Sequence, residues 1–202
     1  MKKLAVLLLV GVMTFSCVAC GGTNGTTNGG NDTQQTENQE SKVEIADATE
    51  LLTKVWATYG EDEKFMAMGG DYNNIVDGAP GKCDVADAET LRSMLCFPTA
   101  SVENIDDAAS LIHGMMANNF TAGAYHVKDA GNVEAIVTAL KDEMVANQWM
   151  CGIPEKLCIA TVGDDYVVAV FGAGDIIETF KTKLTDVYGD AVAVVAEQAL
   201  NE

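Results

Sequence analysis

Hydrophobic residues recur along this chain at two spacings, and each spacing predicts an element. Asp47 and Glu50 stand at the separation of a capping box. Leu51, Leu52, Val55 and Tyr59 behind them share one face of a helix that Gly60 can end in the left-handed region. A second helix is predicted from about Asp87 to Cys96, burying Leu91, Met94 and Leu95 and stopped by Pro98. Between these helices, Glu61 to Lys82 is rich in Gly, Asp and Asn and reads as a long loop with at most one short element.

Beyond Pro98 the spacing changes. Ala108 to Met116 and Phe120 to Val127 read as strands joined at Ala117-Asn118-Asn119, although Ala108, Leu111, Ile112 and Met115 would also line one face of a helix. Asn132 to Trp149 follows as a helix with Val133, Ile136, Val137, Leu140 and Met144 on one side. The order then repeats. Lys156 to Thr161 and Tyr166 to Phe171 are strands around Gly163-Asp164-Asp165. Asp175 to Tyr188 is a helix that buries Ile176, Ile177, Phe180, Leu184 and Val187 and stops at Gly189. The two strand-strand-helix units share little residue identity, so what repeats is a shape. Together they predict an α+β fold forming a single domain over residues 43–202. Its antiparallel sheet carries helices on one face and is preceded by two helices.

The start of the chain follows another pattern. Lys2 and Lys3 precede an apolar run from Leu4 to Phe15, and Ser16-Cys17-Val18-Ala19-Cys20 closes it, the layout of a secretory signal peptide over residues 1–19. Cys20-Gly21-Gly22 resembles the bacterial lipoprotein signal, with Cys17 in the place where that family usually has Leu. The resemblance implies that Cys20 is lipidated with a diacylglyceryl group and becomes the first residue of the mature protein. At ~0.8 kcal/mol per buried methylene, two acyl chains hold a protein stably on a bilayer, where one holds it marginally. The alternative is ordinary cleavage after Ala19 and release. Residues 21–42 contain no aliphatic or aromatic side chain, so they read as a flexible Gly/Thr/Asn linker spanning roughly 25 Å. No apolar run reaches the ~18–20 residues of a transmembrane helix.

Charge narrows the partners. The 202 residues carry 12 Lys and Arg against 30 Asp and Glu, a net charge of −18, and residues 43–202 hold all of that excess. Such a domain is not built for nucleic acid or for an anionic lipid surface, both of which need clustered Lys and Arg. Its acidity favours solubility.

Candidate chemistry is sparse. Cys17-Val18-Ala19-Cys20 has the C-x-x-C spacing of a redox motif, but cleavage before Cys20 destroys it. Cys83, Cys96, Cys151 and Cys158 fit neither a zinc site nor a redox pair. Export permits disulfides, and Cys151 with Cys158 is the candidate pair. Four small buried hydrophobes is the favoured reading. His113 and His126, each predicted on a strand, would bind a metal or act as base and acid if paired across the hairpin. Structural histidines explain them more simply.

The loop from Gly69 to Gly78 suggests calcium, yet from Asp71 the fifth position is Ile75 and the twelfth Lys82, so it fails as an EF-hand and reads as a solvated connection. Ser93, Ser101 and Ser110 lie in no hydrolase motif. Met66, Met68, Met115 and Met116 offer an adaptable apolar surface, with core filling the commoner use. Trp56 and Trp149 read as core or rim. No metal and no cofactor is expected, and no catalytic residue is assigned.

Gly152-Ile153-Pro154 ahead of a strand, a strand and a helix resembles the cis-proline turn and closing half of the thioredoxin fold. A proline ending a helix-to-strand connection explains the same residues. The order of features along residues 20–190 is similar to a family of small extracytoplasmic lipoproteins of Gram-positive gut anaerobes. That family is carried as a domain of unknown function, and some of its members are labelled bacteriocin transport accessory protein. Val55-Trp56, Gly69-Gly70-Asp71-Tyr72, Phe120 to Asp129, Trp149 with Pro154-Glu155-Lys156, and Tyr166-Val167-Val168 carry the resemblance. It implies a non-catalytic binding or transport-accessory domain on the outer face of the cell membrane, attached through a lipid anchor and meeting a protein or small-molecule ligand. The alternative is a thioredoxin-like accessory protein for export or maturation of a peptide.

Overall fold

The computed structural model describes residues 43–200, so the expected signal peptide, lipidated Cys20 and linker lie outside the described residues. The elements run α1 (Ala48–Trp56), β1 (Ala67–Asp71), β2 (Asn74–Asp77), β3 (Gly81–Cys83), α2 (Ala88–Leu95), β4 (Ile105–His113), β5 (Phe120–Val127), α3 (Val133–Ala146), β6 (Lys156–Val162), β7 (Tyr166–Gly172), α4 (Gly174–Tyr188) and β8 (Val192–Ala199). The fold is α+β. Eight strands form one sheet in the order β2-β1-β4-β5-β7-β6-β8, with β3 also on β4, and every pairing is antiparallel. The two strand-strand-helix units are β4-β5-α3 and β6-β7-α4, and α1 and α2 precede them.

The helices do not share one face, which corrects the expectation. Leu51, Leu52 and Val55 of α1 pack with Ile177, Phe180 and Leu184 of α4 against Phe120, Ala122, Cys158, Val168 and Val170. On the opposite side, Leu91 and Leu95 of α2 join Ile136, Leu140 and Met144 of α3 over Tyr125, Leu157, Ile159, Val167 and Phe171. The cause lies in the strands. All seven residues of β7 are buried, so neither parity of side chains can face water. A fully buried Leu or Val contributes about 1.5–3 kcal/mol, and a sheet that is apolar on both sides needs a layer on each.

Local signals explain the helix ends. Asp47 caps α1 by accepting from the Glu50 amide at 2.7 Å, while Glu50 reaches back to the Ala46 amide, also at 2.7 Å. The helix ends at Trp56 rather than at Gly60, whose amide donates to Glu63 Oε2. Asp87 caps α2, and Cys96 ends it in the left-handed region at φ 53°.

The expected long loop after α1 is instead the β1–β2 hairpin followed by β3. Gly69 and Gly81 make it feasible, because a Cβ on Gly69 would lie 2.2 Å from the Gly81 nitrogen. Asp71 is buried at the hairpin turn, where Oδ1 accepts from the amides of Asn73 and Asn74 and Oδ2 accepts from the amide of Asp84. The carboxylate is thereby fixed to the backbone of its own turn and to that of Asp84, a buried anchor for a connection that is otherwise solvated, residues 72–78 all being exposed. Burial opposes its charge, but these amides outweigh burial and hold its pKa below the ordinary value.

The last strand, β8, was not expected either. It pairs with β6, and Glu197 on it lies 2.6 Å from Lys156 and 2.9 Å from Lys181, tying the strand to β6 and α4. Among the described residues, no helix is long and apolar enough to cross a membrane.

Candidate functional site

At one end of the sheet a cleft of about 730 Å³ opens between the chain entering α1 and the mouths of β4, β5 and β7. Val43 to Asp47 form one wall, Lys82 of β3 reaches across, and Asp106, Asp107, His126, Asp165 and Tyr166 form the floor.

A register shift between Ile105 and Asp107 turns two consecutive aspartates to separate tasks. Asp107 points inward. Its Oδ2 accepts from the Ala48 amide at 2.7 Å, so a carboxylate from the sheet stabilises the positive N-terminus of α1. Its Oδ1 has no aligned donor but lies 2.9 Å from Lys82 Nζ, and this carboxylate raises the pKa of Lys82. Asp106 remains half-exposed and pairs with His126 Nδ1 at 2.5 Å, while Asp165 lies 3.6 Å from His126 Nε2.

His126 is thus held between two carboxylates and against the ring of Tyr166, with centroids 5.0 Å apart. Burial opposes its charge, yet Asp106 and Asp165 prevail and its pKa is raised. Tyr166 is buried with its hydroxyl 3.5 Å from the Ile45 carbonyl. Burial, followed by the surrounding aspartates, pushes its pKa up to about 12. The cleft therefore presents a neutral phenol, an imidazole biased toward its cation and an excess of carboxylate. Such a set favours positively charged groups and offers no activated nucleophile. Among the described residues, no three His, Cys, Asp or Glu converge as a metal site.

The candidates named from the sequence are dispersed. His113 and His126 sit on β4 and β5 as expected, but at opposite ends of the hairpin, because His126 pairs with Asp107 and Thr121 with Ile112. At about 3.3 Å per residue they are roughly 20 Å apart, so they share no site. Cys151 is exposed after α3 while Cys158 is buried in β6, and both thiols are free, as are Cys83 and Cys96. Burial pushes the thiol pKa up to about 12 for Cys83 and Cys96 and to about 11 for Cys158.

Trp56 is in the core and donates from Nε1 to the Gly78 carbonyl, and Trp149 packs on Phe171. Three of the four methionines read as core fillers are not, since Met66, Met115 and Met116 are all exposed. Apart from His126, the cleft residues escaped the sequence reading. Their signal was the doublets Asp106-Asp107 and Asp164-Asp165, each at the mouth of a strand in a chain with two histidines. Comparison with protein-family models, with curated proteins and with solved structures finds no match for this chain.

Proposed function

We propose that this chain is a lipoprotein of the outer face of the cell membrane, attached through Cys20, whose folded body binds a positively charged ligand without transforming it. The observation that carries this reading is the position of Val43 to Asp47. The chain leading out of the Cys20 linker forms a wall of the acidic cleft, so the mouth of the cleft lies where the tether enters. A binding reading needs charge complementarity and a concave surface, and the cleft supplies both. The transport-accessory role implied by the family resemblance is compatible with such a cleft. The thioredoxin-like alternative gains nothing from the thiols among the described residues, three of them buried with raised pKa and one exposed.

Titration of the full chain with spermine, followed by NMR, tests the binding half of the proposal. Expected shifts are confined to His126, Tyr166 and their neighbours, they weaken with added salt, and Asp106→Asn with Asp165→Asn lowers affinity about tenfold or more. Spermine that binds elsewhere, or that binds the double variant equally well, would contradict it.

A further inference from the structure

The opposite end of the sheet carries a concentration of sulfur. Of nine methionines, Met66, Met68, Met115, Met116 and Met150 fall on the start of β1, the β4–β5 connection and the loop after α3. Backbone contacts draw these segments together. Gly114 donates to the Met66 carbonyl at 2.8 Å, and the Met68 sulfur lies 2.8 Å from where a Cβ on Gly114 would stand. His113 Nδ1 accepts from the amides of Met115 and Met116 at 3.3 and 3.2 Å, folding that turn back on the end of β4. Asn118 donates to the carbonyls of Met150 and Gly152 at 2.8 and 2.7 Å, which brings in the third loop.

Four of these side chains are exposed, Met66 at 61 %, Met115 at 68 %, Met116 at 57 % and Met150 at 80 %. At this end Ile153 and, on the last turn of α3, Val145 are also exposed, so methionine supplies most but not all of the exposed apolar side chains here. Ordering a methionine costs about 1.5–2 kcal/mol of rotamer entropy against about 0.5–1 for leucine. An ordinary apolar contact surface would form more readily from Leu and Ile, so the choice of residue points to the sulfur. His113 is not a free donor here, because Nδ1 already accepts two amide hydrogens and the ring stacks on Phe65 at 5.0 Å. It positions the turn instead.

We infer that Met66, Met68, Met115 and Met116 form a thioether site for a soft monovalent cation, Cu(I). Thioethers select Cu(I) over the harder divalent ions. They also carry no proton to lose, so affinity does not follow pH as it does for thiolate or imidazole ligands. The site is remote from the acidic cleft and independent of what the cleft binds.

Anaerobic titration of the full chain with Cu(I), in competition with a chromophoric Cu(I) chelator and followed by the methionine methyl resonances, tests this. One equivalent is expected to be taken from the chelator with equal affinity at about pH 7 and about pH 5. The methyls of Met66, Met68, Met115 and Met116 shift, while those of buried Met144 and half-buried Met94 do not. Met115→Leu with Met116→Leu keeps volume at exposed positions and lowers affinity about tenfold or more. Failure to compete with the chelator, unchanged affinity in the double variant, or loss of binding in Cys151→Ser would each overturn the inference.

Discussion

At the cleft end of the sheet, side chains from five separate stretches of chain are held against one another by charge: 43–47, Lys82, 106–107, His126 and 165–166. At the methionine end, three loops are held by backbone and amide hydrogen bonds, and their long side chains stay in solvent. The first arrangement fixes the polar atoms and leaves a concave space between them. The second fixes the backbone and leaves soft groups exposed on top. One end is thus suited to selecting by charge and position, the other to selecting by the softness of a donor atom.

The contrast predicts unequal sensitivity to substitution. The largest effect is expected beside the cleft end, where Asp71→Ala leaves the amides of Asn73, Asn74 and Asp84 without their acceptor. Loss of about 3 kcal/mol in urea unfolding is expected, from one buried charged acceptor serving several donors. Because the pKa of Asp71 is lowered in the fold, its contribution is present above the ordinary value and lost as pH falls through the folded value. Wild type and variant therefore converge in strong acid. Equal stability at neutral pH would show that the hairpin does not depend on this carboxylate.

Next in size is Asp107→Ala, which removes the bond to the Ala48 amide and leaves Lys82 without its partner. About 2 kcal/mol is expected, less than for a fully buried pair because Lys82 is largely exposed. Hydrogen exchange should speed first in the opening turn of α1. Exchange that speeds elsewhere would move the role of Asp107 away from that helix.

His126→Gln is smaller and depends on pH. The groups around His126 are Asp106 and Asp107 of β4, Asp165 of the β6–β7 turn and Tyr166 of β7. Its pKa is raised in the fold, so its contribution is complete below the ordinary imidazole value and disappears as pH rises through the folded one. The gap in thermal midpoint between wild type and variant should be wider in mild acid than in mild base. A gap independent of pH would remove the ion pairs from the account.

At the other end, Met115→Leu with Met116→Leu should change stability by no more than about 0.5 kcal/mol, as expected of exposed positions. A larger loss would mean that these side chains pack, and would weaken the contrast.

Much of this was legible in the sequence. Helices α1, α2, α3 and α4 follow from their apolar faces and from Asp47, Asp87 and Gly189, because helical periodicity is set by neighbours in the chain. The hairpins β4–β5 and β6–β7 follow from their apolar runs and turns. The β1–β3 region was misread because Gly69 and Gly81, which signal a loop, are small so that two backbones can approach. The apolar run of β7 signals burial on both faces, which the repeated strand-strand-helix order, taken as a sheet with helices on one face, obscured. The cleft was hidden because its members are distant in sequence and meet only once the sheet is assembled, with His126 and the paired aspartates as its local traces.

The account places a ligand-binding body on a membrane by way of Cys20, and the mass of the mature N-terminus tests that most directly. The account predicts a chain beginning at Cys20 and carrying a diacylglyceryl group, recovered with the membranes and released by Cys20→Ala. An unmodified N-terminus, or a wild-type protein free in the medium, would contradict it.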